Sequence, residues 1–182
     1  GADVELLADL ARTARMAAPA VRIAVDTSGA PLTALRTAGV RIDLIKPNLE
    51  ELAELTGSNP ATLGTPEAVA SACTALRADG IAAVLATLGA AGAVLASADG
   101  AWHATHPPVI ARSTVGAGDS SLAGYLIADA ERLSPAARLA RAVAYGSAAV
   151  SLPGTTIPRP TDTRPDQVTV TEIHLPATVT AP

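Results

Sequence analysis

Apolar residues recur along this chain in two alternating rhythms, one every three to four residues and one in short unbroken runs, with Gly and Pro between them. Leu6, Leu7, Leu10 and Ala14 share one face of a helix expected from about Asp3 to Met16, and Pro19 ends it. Val21–Val25 reads as a short strand running into a turn at Asp26-Thr-Ser-Gly29. Pro31 opens a second helix through Leu32 and Leu35, which Gly39 closes. Arg41–Ile45 is the next strand; Pro47 stops it and Asn48 caps a helix over Leu49–Leu55. Thr65 and Pro66 supply the cap and first turn of a helix with Val69, Ala72, Cys73 and Leu76 on one face, ended by Gly80. Ile81–Thr87 reads as a buried strand, and Ala93–Ser97 with Ala101–Thr105 as a hairpin around Asp99-Gly100. A Gly-rich turn then precedes a helix from about Asp119 to Glu131. Ser134 and Pro135 open another that reaches about Val150, and Gln167–Ile173 forms a late strand.

Helices alternating with strands predict a single α/β domain over residues 1–182. Its sheet should be covered on both faces, with the hairpin as a local antiparallel addition. The chain opens in a helix rather than in the usual βαβ unit, a hint that a larger fold has been cut.

Composition sharpens the picture in three ways. Of 182 residues 49% are hydrophobic, yet Phe is absent and one Trp and two Tyr are the only aromatics, so the core must be aliphatic. The net charge is -4, Lys46 is the only lysine and the arginines are scattered, which argues against a nucleic-acid partner. Cys73 is the only cysteine and falls on an apolar helix face. A buried thiol is expected, with no disulfide framework and no cysteine metal site. The spacing of His103, His106 and His174 builds no metal site. Without a membrane-length apolar run or an N-terminal signal core, a cytoplasmic protein with no membrane partner is expected.

Three stretches carry candidate chemistry. Gly116-Ala117-Gly118-Asp119 sets two flexible residues before a helix, where backbone N–H groups can converge on an anion. Asp119 there can deprotonate a hydroxyl, or simply cap the helix. The stretch lacks the Gly-Lys-Ser/Thr ending of a Walker A loop and is a poor dinucleotide fingerprint. Asn48 and Glu51 share a helix face and can approach one water shell around Mg²⁺, or form a capping box. Thr87-Leu-Gly89-Ala-Ala-Gly92, between two strands, allows close approach to a ligand or serves as a turn.

Ser113-Thr-Val-Gly-Ala-Gly-Asp-Ser-Ser-Leu-Ala-Gly124 closely resembles the C-terminal signature of the PfkB (ribokinase-like) carbohydrate kinases. The resemblance implies a three-layer αβα ribokinase-like core, with Asp119 as catalytic base and Gly116, Ala117 and Gly118 as the anion hole. It implies ATP and Mg²⁺, the metal held through water by Asn48 and Glu51. Lys46, Asn48, Thr87, Gly89 and Gly92 would contact the nucleotide, as would Gly116 and Gly118, although a salt bridge competes for Lys46. Ala144–Val150 with Pro153-Gly-Thr155 resembles the segment closing an adenine pocket, which places Ser147 at the nucleotide. Asp26–Gly29 resembles a phosphosugar-kinase segment, equally an Asx-turn, and receives no catalytic role.

Lys46-Pro47 often accompanies phosphosugar substrates in this family. The implied reaction is ATP-dependent phosphorylation of a sugar phosphate, fructose 1-phosphate to fructose 1,6-bisphosphate first. Tagatose 6-phosphate, fructose 6-phosphate and ribose-type sugars are neighbours. A nucleotide-binding fragment or subunit without turnover is the alternative from another class. The resemblance is expected to cover only the C-terminal part of such an enzyme, with the N-terminal part and small β-sheet lid missing. A homodimer, or association with the missing half, would follow.

Overall fold

Alternating burial along the strands builds two separate cores, one on each face of a single sheet. The structure is a computed structural model that describes residues 5–175, so Asp3 and Val4 of the first expected helix lie outside the described residues. The sheet has six strands in sequential order. β1 (Ala24–Val25), β2 (Leu44–Ile45) and β3 (Val84–Thr87) are parallel. β4 (Ala93–Ser97), β5 (Gly100–Thr105) and β6 (Thr169–Ile173) continue it antiparallel. The antiparallel part is therefore half of the sheet rather than a local addition. The short 89–91 turn folds β4 straight back onto β3, so no crossover helix intervenes.

Six α-helices were expected and all six form. They are α1 (Leu6–Ala17), α2 (Ala30–Thr37), α3 (Leu49–Thr56), α4 (Pro66–Arg77), α5 (Ala117–Ala130) and α6 (Pro135–Ser151). Side chains of successive strand residues point to opposite faces. Val84, Ala86, Val94 and Ala96 accordingly face a core closed by Leu52, Val69, Cys73 and Leu76 of α3 and α4. Leu85, Ala93 and Leu95 face Tyr125, Leu139, Ala142 and Val143 of α5 and α6. Ala8 and Ala11 of α1 and Leu35 of α2 join the first core. Cys73 is fully buried in it, and burial pushes its thiol up to about 12, which leaves it inert as a nucleophile.

Three helices start where side-chain oxygens cap them. Asn48, Thr65 and Ser134 accept from the backbone N–H groups of Glu51, Ala68 and Ala137. The parallel strands are shorter than their apolar runs, and Asp43 explains part of this. Its carboxylate takes the Ile23 N–H at 2.8 Å in place of a ladder carbonyl, while Ile23 O accepts from both Asp43 N and Leu44 N. Arg15 of α1 reaches the same carboxylate at 2.7 Å, which ties the first helix to the entrance of β1 and β2.

Burial drives the Asp43 carboxyl up, but the Ile23 amide and the Arg15 and Arg41 guanidiniums outweigh it and hold it below its ordinary value of 3.8. A depressed carboxyl contributes stability above the unfolded value and loses it as pH falls through the folded one. Asp43→Asn should therefore cost about 1–3 kcal/mol at neutral pH. The difference from wild type should shrink below pH 3.8, as read from urea unfolding at a series of pH values.

Candidate active site

Each parallel strand delivers a polar residue at its carboxyl end. β1 runs into Asp26, β2 into Lys46, and β3 ends on Thr87. Val25 pairs with Ile45, so Asp26 and Lys46 come next in register on neighbouring strands. Pro47 O accepts from Thr87 N–H at 3.0 Å, and Asn48 bridges to Thr87. Open α/β sheets place ligands at this end of the strands.

Lys46 is only 7% exposed, and its Nζ lies 3.1 Å from Asp26 Oδ2. An ammonium this buried would cost several kcal/mol without a counter-charge, so the pair is what allows it to sit there. The same ammonium abuts the Gly-rich turn, because a Cβ added at Gly118 would stand 3.2 Å from Lys46 Nζ. The two glycines of the turn thus have different reasons. Gly116 adopts a left-handed φ of 76° as the N-cap of α5, whereas Gly118 is helical and leaves room for the lysine. Of the two sequence alternatives for Lys46 the salt bridge forms, and the ammonium also lies close to the Gly-rich turn.

No side chain caps α5. The Ala117 N–H reaches Thr114 O and the Ser120 N–H reaches Gly116 O. The first-turn N–H groups of Gly118 and Asp119 remain for water or an anion. Asp119 is exposed and lines a cavity of about 390 Å³ together with Val115, Gly116, Ser120, Thr155 and Thr156. Close helix packing seats this turn. An added Cβ at Gly124 would meet Arg141 O at 2.7 Å, and one at Gly146 would meet Ala117 O at 3.4 Å. Glycines let α6 press directly on α5.

The remaining sequence candidates divide. Asn48 and Glu51 form a complete capping box, each side chain bonded to the other's backbone N–H at 2.9 Å. This is the local alternative weighed from sequence, and it fixes both side chains at the start of α3, where the Asn48 backbone bridges to Thr87. Gly89 and Gly92 flank the turn after β3, both at positive φ. Gly92 is dictated by packing, since a Cβ there would fall 1.9 Å from Ala104 O on β5. His103 of β5 reinforces this contact through Nε2 to Ala91 O at 2.8 Å. Ser147 does not share the Asp119 cavity. It lines a second one of about 260 Å³ with His106, Val109, Ser151, Asp162 and Arg164.

Sequence reasoning gave Asp26 no role and did not single out Thr156. The signal for Asp26 was present: it directly follows the strand that pairs with the one ending at Lys46. Thr156 had no such signal, because only the return of the chain after α6 brings it to Asp119. Among the described residues no three His, Cys, Asp or Glu side chains cluster to hold a metal, and no helix is long and apolar enough to cross a membrane.

The family model described as pfkB family carbohydrate kinase matches residues 1–162. The chain is 40% identical over 149 residues to a 1-phosphofructokinase of Rhodobacter capsulatus, covering 81% of this chain and 45% of that protein. It is 35% identical to the ATP-dependent 6-phosphofructokinase isozyme 2 of Escherichia coli, covering 79% of this chain and 46% of that protein. The crystal structure of phosphofructokinase-2 from Escherichia coli in complex with substrates and products superposes with a TM-score of 0.80 at 33% identity, covering 89% of this chain and 51% of that one. The chain spans about half the length of the curated relatives it matches. One expectation is corrected: the match is not a C-terminal part only, because the family model runs over residues 1–162, most of the chain. The opening helix packs into the main core through Ala8 and Ala11.

The two glycine contacts separate packing from chemistry. Gly92→Ala should destabilise the protein by more than about 3 kcal/mol, with unfolding rather than weaker ligand binding as its signature in a thermal melt. Gly118→Ala should leave stability unchanged or up to about 1 kcal/mol higher, since Ala favours the helix. The Lys46 ammonium, made to give way by the added Cβ, should nevertheless bind inorganic triphosphate about tenfold more weakly in a calorimetric titration.

Proposed function

This chain belongs to the pfkB family of carbohydrate kinases, and on that premise we propose that it carries the phosphoryl-transfer centre of an ATP-dependent sugar-phosphate kinase. The preferred substrate is fructose 1-phosphate and the product fructose 1,6-bisphosphate. The observation that carries this reading is the meeting of three groups at one point. The uncapped start of α5, the buried Lys46 ammonium against Gly118, and the exposed Asp119 carboxylate all bound one side of the sheet's carboxyl end. Fixed positive charge and a base together suit a reaction in which a hydroxyl attacks a phosphoryl group.

In this reading the sugar hydroxyl gives its proton to Asp119 as its oxygen bonds to the γ-phosphorus, and the bond from that phosphorus to the bridging oxygen of ADP breaks. The Gly118 and Asp119 amides and the Lys46 ammonium face the equatorial oxygens, where charge develops, and need no reorganisation to do so. Thr87, beside Asn48, adds a hydroxyl to the nucleotide side. Gly89 shapes the turn that follows Thr87, and Ser147 marks the side of α6 assigned to the adenine.

Mg²⁺ fits the donors present. Asn48 and Glu51 are oxygen-bearing side chains held rigid by their capping box, and a water-mediated hold suits a cation that keeps several waters. When bound with ATP, the metal neutralises charge on the phosphates. The two relatives named for fructose phosphates, at 40% and 35% identity, support the choice of sugar class.

ADP release measured with fructose 1-phosphate, fructose 6-phosphate, tagatose 6-phosphate and ribose should rank fructose 1-phosphate first. Asp119→Asn should leave Mg·ATP affinity within about threefold and lower kcat by roughly 10²–10⁴-fold. Equal loss of binding and transfer would remove Asp119 from the role of base.

A further inference from the structure

The ion pair at the ends of β1 and β2 has a consequence beyond burial. Asp26 is the carboxylate bonded to the only lysine of the chain, and that lysine's ammonium is wedged against Gly118. The side chain of Asp26 is 28% exposed, against 7% for Lys46, so the carboxylate sits on the open side of the pair. The lysine has little freedom. Its backbone N–H is held by Val25 O at 3.1 Å, and its ammonium lies so near Gly118 that a Cβ there would stand 3.2 Å from it. A long, rotamer-rich side chain reaches one spot reliably only when its end is anchored.

Resting on the phosphoryl-transfer reading, we propose that Asp26 is a positioning residue: its carboxylate holds the Lys46 ammonium at Gly118, so the cation stands beside the first-turn amides of α5 before any phosphate arrives. In this role the effect of Asp26 on transfer passes through Lys46, the group its carboxylate holds at 3.1 Å. A phosphate entering the turn shares the ammonium with Asp26 rather than recruiting it from solvent. The cost of ordering the lysine is then met during folding instead of during binding.

The single lysine makes the test direct. With ¹⁵N-lysine labelling, the ammonium signal of Lys46 is the only one of its kind in the protein. In the wild-type chain this signal should report a restrained ammonium, and inorganic triphosphate should shift it. In Asp26→Asn the ammonium should become mobile, triphosphate affinity should fall at least fivefold, and kcat at least tenfold. Asp26→Glu should recover part of both. An unchanged Lys46 signal in Asp26→Asn would overturn the proposal.

Because Asp26→Asn leaves a buried ammonium unpaired and can fail to fold, the double variant Asp26→Asn/Lys46→Met provides the second arm. Its transfer rate should match that of Lys46→Met alone, whereas a further multiplied loss would show that Asp26 acts independently and sink the idea. The two levels of failure stay distinct. A wild-type chain that transfers no phosphate to any sugar, while triphosphate still shifts the Lys46 signal in an Asp26-dependent way, refutes the kinase reading and keeps the positioning role.

Discussion

A buried ammonium demands a counter-charge, and the arrangement at the carboxyl end of the sheet follows from that demand. Lys46 is brought there by β2, between β1 and β3. Its counter-ion comes from the adjacent strand in register, at Asp26. Glycine at 118 leaves the ammonium its room, since an added Cβ would stand 3.2 Å from Nζ and the lysine would have to give way. One charge thus links two strand ends and one helix start, elements that are distant in sequence.

The other half of the site depends on how closely two helices approach. Gly124 removes the side chain that would hold α5 and α6 apart, since a Cβ there would fall 2.7 Å from Arg141 O, and the helices also pack closely at Gly146. This contact fixes the angle at which α5 presents its first turn. It also brings the segment after α6, with Thr155 and Thr156, to the wall of the Asp119 cavity. Preorganised donors are effective because they do not have to move as charge develops, and tight helix packing supplies that rigidity.

The sheet itself is held by polar exceptions as well as by its aliphatic cores. Asp43 replaces a ladder carbonyl at Ile23 and collects Arg15 from α1, so the opening helix is clamped to the strands that carry Asp26 and Lys46. Buried Asp129 of α5 similarly gathers Arg22 and Arg138, joining the residue before Ile23 to α5 and α6. These ion pairs lie away from Asp119 and orient the elements that bear the functional groups.

Local chemistry was fully legible in the sequence. The caps at Asn48, Thr65 and Ser134, the six helices, the β4–β5 hairpin and the Gly-rich start of α5 depend on residues within a few positions of each other. Short-range sterics and hydrogen bonding decide such features. The capping box of Asn48 and Glu51 was among the readings weighed, and the chain realises it. Only the tertiary structure decided that β4 turns back to make half of the sheet antiparallel. It alone showed that Gly92 answers to Ala104 across the sheet, and that Ser147 faces a different cavity from Asp119. It also decided that Asp26, a plain turn residue by its neighbours, is the partner of the only lysine. Strand pairing and helix approach join positions far apart in the chain, and no local pattern of residues encodes the distance between them.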